Sequence, residues 1–139
     1  MSQYMLDTDT CAFILRKSSA VLLERIQSVP LLQQCMSVVT LAELLYGVQV
    51  SSRKKVNRDA VEALVHHVTV LEWSLGAADH YAEIRADLKK TGQQIGANDL
   101  LIAAHARSMG AVIVTNNVKD FGRVRGLKVE NWMDPTQCV

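Results

Sequence analysis

Cysteine, proline and aromatic residues are scarce in this chain of 139 residues. Three cysteines without a CxxC pair argue against a disulfide framework and a thiolate zinc site, so we expect a reducing compartment. Two prolines and seven glycines leave little material for linkers, and the length predicts a single domain over residues 1–139. With 49% hydrophobic and 21% charged residues, the composition is globular and excludes a disordered or fibrous chain.

Long apolar runs and an excess of one charge sign are also missing. No uninterrupted apolar run approaches the roughly 18 residues that a membrane span needs. The first ten residues, MSQYMLDTDT, turn acidic by Asp7 without a basic segment ahead of an apolar one. We therefore expect no secretory signal and a cytoplasmic protein. A net charge of +1 excludes nucleic-acid binding by bulk charge, but it leaves room for a local basic groove.

Short apolar runs alternate along the chain with longer segments of helical periodicity. The predicted strands are residues 4–6, 35–39, 68–71, 111–115 and 127–129. The predicted helical segments are residues 9–28, 40–48, 52–67, 75–90 and 100–106. This alternation predicts an α/β fold with a parallel sheet covered by helices on both faces. In such folds the ligand site lies beyond the carboxyl ends of the strands.

Three acidic residues are predicted near those strand ends. Asp7 directly follows the first strand, Glu43 lies early in the helix after the second, and Asp99 opens an apolar helix. Carboxylates about 5 Å apart would repel by roughly 3 kcal/mol per pair at an effective dielectric constant of 20. Protonation or a bound cation relieves that repulsion. Oxygen ligands without nearby histidine or cysteine favour Mg²⁺ or Mn²⁺, and both ions suit phosphate chemistry.

Each of these carboxylates also has a purely structural interpretation as a helix cap. The run TLAE from Thr40 to Glu43 matches a capping box, in which the Glu43 side chain reaches back to the Thr40 amide. Asn98 or Asp99 is a natural N-cap for the helix that follows, and Asp7 is a candidate for the first helix. The residues taken one at a time leave both interpretations open.

Four motifs follow one another along the chain. They are YMLDTDTCAFIL, SVVTLAELLYG, IGANDLLIAAHARSMG and VIVTNNVKDFGRVRGLKVENW, and they extend from Tyr4 to Trp132. Together they resemble PIN-domain ribonucleases, and more narrowly the VapC toxins of bacterial VapBC toxin–antitoxin pairs. The resemblance implies a three-layer α/β/α PIN fold around a central, mainly parallel sheet of four to five strands. It also implies the toxin of a type II pair, an endoribonuclease that hydrolyses RNA with a metal-activated water.

The resemblance further implies site residues, a cofactor and partners. The catalytic acidic residues of the family fall on Asp7, Glu43 and Asp99, with Asp7 and Asp99 as metal ligands. The implied cofactor is Mg²⁺, with Mn²⁺ as a substitute. The implied substrate is tRNA, the initiator tRNA in particular, and the implied protein partners are a VapB-type antitoxin and a second copy of the chain. The predicted antitoxin contact includes Leu41, Leu45 and Tyr46.

Two positions depart from the family pattern. Asn117 stands where many PIN domains carry a fourth acidic residue. It either hydrogen-bonds water at the site or holds the turn after the strand, where asparagine tolerates left-handed backbone angles. Asp9 stands where the family often has asparagine, and it either adds charge to the site or caps the first helix. We favour the cap for Asp9. The nearby Asp120 has no predicted role.

Other polar residues receive weaker predictions. Two basic groups either contact RNA phosphates or form solvated surface, and we favour the solvated surface. These groups are Arg53, Lys54, Lys55 and Arg58 in one run, and Arg107, Arg123, Arg125 and Lys128 late in the chain. His105 is predicted to be a hydrogen-bonded structural residue, and His66, His67 and His80 are predicted to lie at the surface.

Three competing functions also fit an acidic residue after the first strand. A phosphatase of the haloacid dehalogenase type needs the motif DxDx[TV], whereas this chain reads DTDTC from Asp7. A receiver-like phosphoacceptor module needs an aspartate at the end of the third strand, where Glu72 is followed by Trp73. A PIN domain that serves only as a binding scaffold has no use for an intact acidic set. The residues therefore favour the ribonuclease.

Overall fold

A computed structural model describes residues 2–137, so Cys138 lies outside the described residues. The strands are β1 (Tyr4–Leu6), β2 (Gln34–Ser37), β3 (Thr69–Leu71), β4 (Val112–Val114) and β5 (Lys128–Glu130). The helices are α1 (Thr8–Arg16), α2 (Ala20–Ser28), α3 (Val38–Val50), α4 (Lys54–His67), α5 (Leu75–Lys90), α6 (Ala97–Ser108) and α7 (Val118–Phe121). Single 3-10 turns occupy Leu31–Gln33 and Pro135–Gln137. Within the described part of the chain, no helix has the length and apolarity to cross a membrane.

The five strands form one parallel sheet in the order β3-β2-β1-β4-β5. The central strand β1 pairs with β2 on one side and with β4 on the other, and Leu6 lies beside Val114 in the register. The chain thus winds outwards from β1 in one direction and then in the other. Ligand sites of open α/β sheets lie at this kind of switch point, beyond the carboxyl ends of the strands. The predicted parallel sheet is confirmed.

Neighbouring residues of each buried strand point to opposite faces of the sheet. Both faces therefore carry apolar side chains, and helices cover both. Met5 and Ile113 pack into a core with Ile84 of α5 and Ile102 of α6. The adjacent residues Leu6 and Val114 pack into a second core. Its helical members include Leu22, Leu44, Val61 and Leu64, from α2, α3 and α4. The predicted three-layer α/β/α arrangement is confirmed.

Several element boundaries differ from the predicted ones for local reasons. The predicted helical segment 9–28 is two helices, because α1 ends at Lys17 in a left-handed conformation (φ 50°). The predicted strand 35–39 ends at Ser37, whose hydroxyl accepts a hydrogen bond from the Val39 amide and caps α3. The helix predicted from Leu100 begins three residues earlier, at Ala97.

Candidate active site

Asp7 lies at the centre of the carboxyl edge of the sheet, between β1 and β4. Its side chain is only 2% exposed. One carboxylate oxygen, Oδ1, accepts from the Thr10 amide at 2.8 Å, and the other, Oδ2, accepts from the Thr115 hydroxyl at 2.6 Å. Asp7 is therefore the N-cap of α1, as one of its two interpretations predicted, and its charge also acts on Asp99.

Burial raises the pKa of Asp7, because the low-dielectric surroundings penalise the charged carboxylate. The hydrogen bonds from Thr115 and Thr10 act in the opposite direction, since they stabilise the ionised form. The charge of the neighbouring Asp9 adds a smaller upward contribution. A cation bound nearby would offset this penalty, because it stabilises the ionised carboxylate.

Glu43 is held by two donors from other helices and does not belong to a capping box. The N-cap of α3 is Ser37, so Thr40 lies inside the helix and the predicted capping box is wrong. The Thr8 hydroxyl of α1 donates to Glu43 Oε1 at 2.5 Å. The Asn98 amide of α6 donates to Glu43 Oε2 at 3.1 Å. The Glu43 side chain thus connects the helices that carry Asp7 and Asp99.

Asp99 lies in the first turn of α6 and does not cap it. The N-cap is Gly96, which makes no side-chain capping bond, so the predicted cap at Asn98 or Asp99 is wrong. Gly96 adopts an extended backbone (ψ 149°) and its carbonyl accepts from the Leu100 amide, which starts the helix without a polar side chain. The Asp99 carboxylate is therefore available for another role.

Burial and surrounding charge together raise the pKa of Asp99 to about 6. Burial is the larger cause, and four other carboxylates add repulsion. Those carboxylates belong to Asp7, Asp9, Glu43 and Asp120. The structure thus brings the three predicted acidic residues together, with Asp9 and Asp120 in the same group.

Asp120 is an acidic member of the site that was not predicted from the sequence. Its Oδ2 accepts from the Asn117 side-chain amide at 3.0 Å, and its Oδ1 lies 3.5 Å from Arg123. The Asn117 backbone amide donates to the Thr115 hydroxyl, which itself binds Asp7. The spacing of three residues between Asn117 and Asp120, one turn of α7, is the signal that identifies the pair.

The structure does not support the purely structural roles considered for Asn117, a left-handed turn, and for Asp9, a helix cap. Asn117 has φ −90°, so the left-handed backbone that would explain an asparagine there is absent. Asp9 is exposed in the first turn of α1, and Asp7 occupies the capping position that we favoured for Asp9. The prediction that Asp9 caps the helix is therefore wrong, and its charge adds to the acidic group around Asp99.

The remaining polar predictions are mostly confirmed. His105 is buried and its Nδ1 lies 2.8 Å from the Ser37 hydroxyl, which is the predicted structural role. His66 and His67 are exposed, as predicted, and His80 is half-buried and accepts from Arg107. Lys55, Arg58 and Arg125 are exposed, as predicted for solvated surface. Arg107 is mostly buried and Arg123 pairs with Asp120 in the acidic group, so the prediction is wrong for these two. Four of the basic residues pair with acidic ones outside that group. These pairs are Lys55–Asp59, Arg58–Glu62, Arg107–Glu83 and Arg125–Asp87.

The donor set of the acidic group fits a hard divalent cation. Its members are carboxylates, with threonine hydroxyls and asparagine amides as polar neighbours, and Arg123 lies beside Asp120. Across residues 2–137, no group of three or more His, Cys, Asp or Glu side chains is close enough to enclose an ion on its own. Mg²⁺ is commonly held by one or two carboxylates while it retains several waters, so an open acidic group is compatible with it.

Comparison of the sequence with known proteins finds one matching domain profile and several similar ribonucleases. The PIN domain profile matches residues 4–127. A tRNA(fMet)-specific endonuclease VapC from Shigella flexneri is 41% identical over 132 residues, which cover 95% of this chain and 99% of the relative. Ribonuclease VapC2 from Haemophilus influenzae is 38% identical over 133 residues, which cover 96% of this chain and all of the relative.

Structural comparison gives the same answer. The fold is similar to that in a DNA-bound VapBC complex from Salmonella typhimurium, with a TM-score of 0.90, 38% identity and coverage of 95% of this chain and 99% of that one. It is also similar to VapBC2 from Rickettsia felis bound to a promoter DNA fragment, with a TM-score of 0.88, 35% identity and coverage of 93% and 98%. The chain therefore belongs to the PIN-domain family, within its VapC group.

Proposed function

We propose that this protein is the toxin of a type II toxin–antitoxin pair and a metal-dependent endoribonuclease that acts in the cytoplasm. The observation that carries the proposal is the acidic group around Asp99, a half-buried carboxyl surrounded by four other carboxylates at the switch point of a parallel sheet. Such a concentration of negative charge suits a cation that acts on a phosphodiester. The VapC relatives named as ribonucleases support the same activity.

We assign Asp7 and Asp99 as the residues that hold the ion, with Mg²⁺ as the cofactor and Mn²⁺ as a substitute. When bound, a hard divalent cation lowers the pKa of a coordinated water and neutralises charge on the phosphate. Thr115 and Thr10 fix the rotamer of Asp7 through both of its oxygens. The raised pKa of Asp99 means that cation and proton compete for the same carboxylate.

Glu43 orients the attacking water in this proposal. Thr8 and Asn98 occupy one lone pair on each carboxylate oxygen of Glu43, and each oxygen keeps a second lone pair that can accept a proton from water. Attack of water at phosphorus forms one P–O bond and breaks the bond to the 3′ oxygen. The proton that the water loses is accepted by Glu43, and the 3′ oxygen takes up a proton from solvent and leaves as a hydroxyl. The products then carry a 5′-phosphate and a 3′-hydroxyl, because water and not the 2′-hydroxyl is the nucleophile.

The proposed substrate is tRNA, and the initiator tRNA is the specific candidate. The relative from Shigella flexneri is named for tRNA(fMet), and it aligns with 95% of this chain. The proposed protein partner is a VapB-type antitoxin, because structures of VapBC complexes match nearly the whole chain. We expect a homodimer in solution, as the family resemblance implies.

End mapping of the cleaved RNA tests the proposed function. The purified chain is incubated with initiator tRNA in Mg²⁺, in Mn²⁺ and in EDTA, with elongator methionine tRNA as the matched substrate and Asp99→Asn as the control protein. We expect one cut in the initiator tRNA, with 5′-phosphate and 3′-hydroxyl ends, only when a divalent ion is present. Full cleavage in EDTA, or 2′,3′-cyclic phosphate ends, would contradict the metal-dependent mechanism.

A further inference from the structure

A pocket of about 330 Å³ is lined by residues of α5, of α6 and of the loop between them. Its lining, which we name the α5–α6 pocket, includes Tyr81, Arg85, Leu88, Gln94, Ile95 and Leu100. Nothing in the proposed reaction uses these residues. The pocket is nevertheless large enough for a small organic group, since ligand sites in proteins begin at about 300 Å³.

Two connections join this pocket to the acidic group. Leu100, which lines the pocket, directly follows Asp99 in the first turn of α6. On the loop before α6, the Gln94 carbonyl accepts a hydrogen bond from Arg123 at 3.4 Å, and Arg123 also pairs with Asp120. These connections place the lining of the pocket beside residues that adjoin Asp99 and Asp120.

The pocket combines an apolar floor with a flat polar rim. Leu88 and Leu100 are buried and form the floor. On the rim, the exposed Arg85 donates to the Tyr81 hydroxyl at 3.0 Å, and its guanidinium carbon lies 5.9 Å from the centre of the Tyr81 ring. The Tyr81 ring is itself fixed by an edge contact with Trp73. The arginine plane is thus held in place at the entrance.

The apolar floor and polar rim of the pocket match an unpaired nucleobase better than a phosphate group or an apolar side chain. Proteins read single-stranded RNA by stacking bases on aromatic or arginine planes and by hydrogen bonds to the base edges. Arg85 offers such a plane, and the exposed Gln94 side chain has both a donor and an acceptor for a base edge. A phosphate would need more than the single arginine in the lining, and an apolar side chain would leave Arg85 and Gln94 unused.

We propose that the α5–α6 pocket receives one unpaired base of the RNA, adjacent to the phosphate that is cut. The proposal rests on the proposed function, and it makes Arg85, Tyr81 and Gln94 specificity-determining residues. The base would enter over the guanidinium plane of Arg85, with its faces against Arg85 and the apolar floor. Substrate choice would then depend on which RNAs can present an unpaired base beside the cut.

Abasic substitutions in the RNA test the pocket directly. Single abasic sites are placed at each nucleotide around the mapped cut, and kcat/KM is measured for the wild type, Arg85→Met, Tyr81→Phe and Gln94→Ala. One abasic position should lower kcat/KM of the wild type by roughly 5- to 150-fold, the range for a base stacked on a protein side chain. Arg85→Met should lose a similar factor on intact RNA and lose nothing further on that abasic RNA. Arg58→Met, an exposed arginine on α4, is the matched control and should behave as the wild type.

If the abasic site and Arg85→Met each lower kcat/KM by a factor, and the two factors multiply when both are present, the two act independently. That result would contradict the proposed base pocket but leave the proposed ribonuclease activity intact. If no RNA is cut and the proposed ribonuclease activity is wrong, a binding measurement can still test the pocket. For it, the Asp99→Asn chain is titrated with RNA that carries 2-aminopurine at single positions. A fluorescence change at one position that Arg85→Met removes supports the pocket, and its absence at every position overturns it. A third outcome is that Arg85→Met changes the oligomeric state measured by sedimentation while the abasic site keeps its effect on kcat/KM. That result would contradict the base pocket and assign these residues to an interface between two copies of the chain.

Discussion

The side-chain amide of Asn98 donates a hydrogen bond of 3.1 Å to Glu43 Oε2, across 55 positions of sequence. Asn98 directly precedes Asp99 in α6, so one helical turn carries both a proposed metal ligand and the donor that holds Glu43. The opposite oxygen of Glu43 is held by Thr8, which directly follows Asp7. Each aspartate therefore has a neighbour in sequence that fixes the third carboxylate.

This arrangement predicts that Asn98 is a positioning residue for Glu43. Asn98→Ala removes the donor, leaves the carboxylate free to rotate, and should lower kcat about tenfold or more with little change in KM, as is typical when a supporting hydrogen bond is lost. Steady-state cleavage of the tRNA substrate measures the split between kcat and KM. Gln93→Ala removes an exposed amide from the preceding loop and is the matched control.

A double-mutant cycle separates positioning from a structural role. If Asn98 acts through Glu43, then Asn98→Ala should cost nothing further in a Glu43→Gln background. Equal losses in both backgrounds would show that Asn98 acts independently of Glu43. Asn98→Ala should melt like Gln93→Ala, because Asn98 is exposed and does not cap α6.

The raised pKa of Asp99 predicts a metal-free protein that loses stability as the pH rises. The pKa is about 6 in the folded protein, against an ordinary value of 3.8. Between these values the folded chain binds more protons than the unfolded chain, so the free energy of unfolding falls with increasing pH. In EDTA, the Tm should therefore fall from about pH 5 to about pH 7, and Asp99→Asn should reduce that fall. Asp59→Asn, on the exposed face of α4, should leave the fall unchanged.

Added metal should reverse the pH dependence. A cation competes with the proton for the Asp99 carboxylate, so Mn²⁺ should raise the Tm more at about pH 7 than at about pH 5. A Tm shift that is the same at both pH values, or one that survives in Asp99→Asn, would remove Asp99 from the metal site.

The fold could be predicted from the sequence because its determinants are local and redundant. The valine-rich run around β4 and the alternation with helices indicate a parallel sheet buried on both faces, and several strands repeat that signal. The grouping of Asp7, Glu43 and Asp99 also follows from local signals, since each lies close to a predicted strand end or helix start, and their roles in the site stay predictions. What the sequence left open was which of two roles each carboxylate plays.

The predicted capping box of Thr40 and Glu43 is wrong because α3 begins a few residues earlier than predicted, whereas Asp7 does cap α1. Ser37 caps α3 and makes Thr40 an interior residue, so Glu43 is too far along the helix to reach back to the first turn. The Thr8 and Asn98 contacts to Glu43 join segments 35 and 55 positions away, and no local pattern reports such contacts. The spacing of Asn117 and Asp120 indicates their mutual contact, but the proximity of Asp120 to Asp99 depends on how α7 packs.

The double role of Asp7 predicts different effects for two substitutions. Asp7→Asn removes the charge that the proposed metal ligand needs, so it should abolish cleavage. It keeps an oxygen that can cap α1, so the metal-free protein should melt at or above the wild-type temperature. Asp7→Ala removes the cap as well and should lower the free energy of unfolding by about 1 kcal/mol or more relative to Asp7→Asn. Thermal melts in EDTA and tRNA cleavage measure the two effects. Retained activity in Asp7→Asn would contradict its role as a ligand.

An exposed aromatic residue on α3 provides the test of the antitoxin contact. Tyr46 is 68% exposed, whereas the other predicted contact residues, Leu41 and Leu45, are half-buried and pack against the core. We therefore expect Tyr46→Ser to weaken binding of the co-encoded antitoxin about tenfold or more, since tyrosine commonly dominates protein interfaces. Co-purification and calorimetry measure the affinity, with the exposed Val56→Ser of α4 as control. Unchanged affinity would place the contact elsewhere.

Asn117 provides the last prediction, because its side-chain amide binds Asp120 at 3.0 Å within the acidic group. Asn117→Asp replaces that hydrogen bond by repulsion between two carboxylates, so it should lower the Tm in EDTA. The extra charge should at the same time tighten Mn²⁺ binding, since affinity for hard cations rises with ligand charge. Asn117→Ala frees the Asp120 carboxylate from its donor and should weaken Mn²⁺ binding about tenfold. Calorimetric titration with Mn²⁺ measures both affinities, and equal values for the wild type and the two variants would exclude Asn117 from the site.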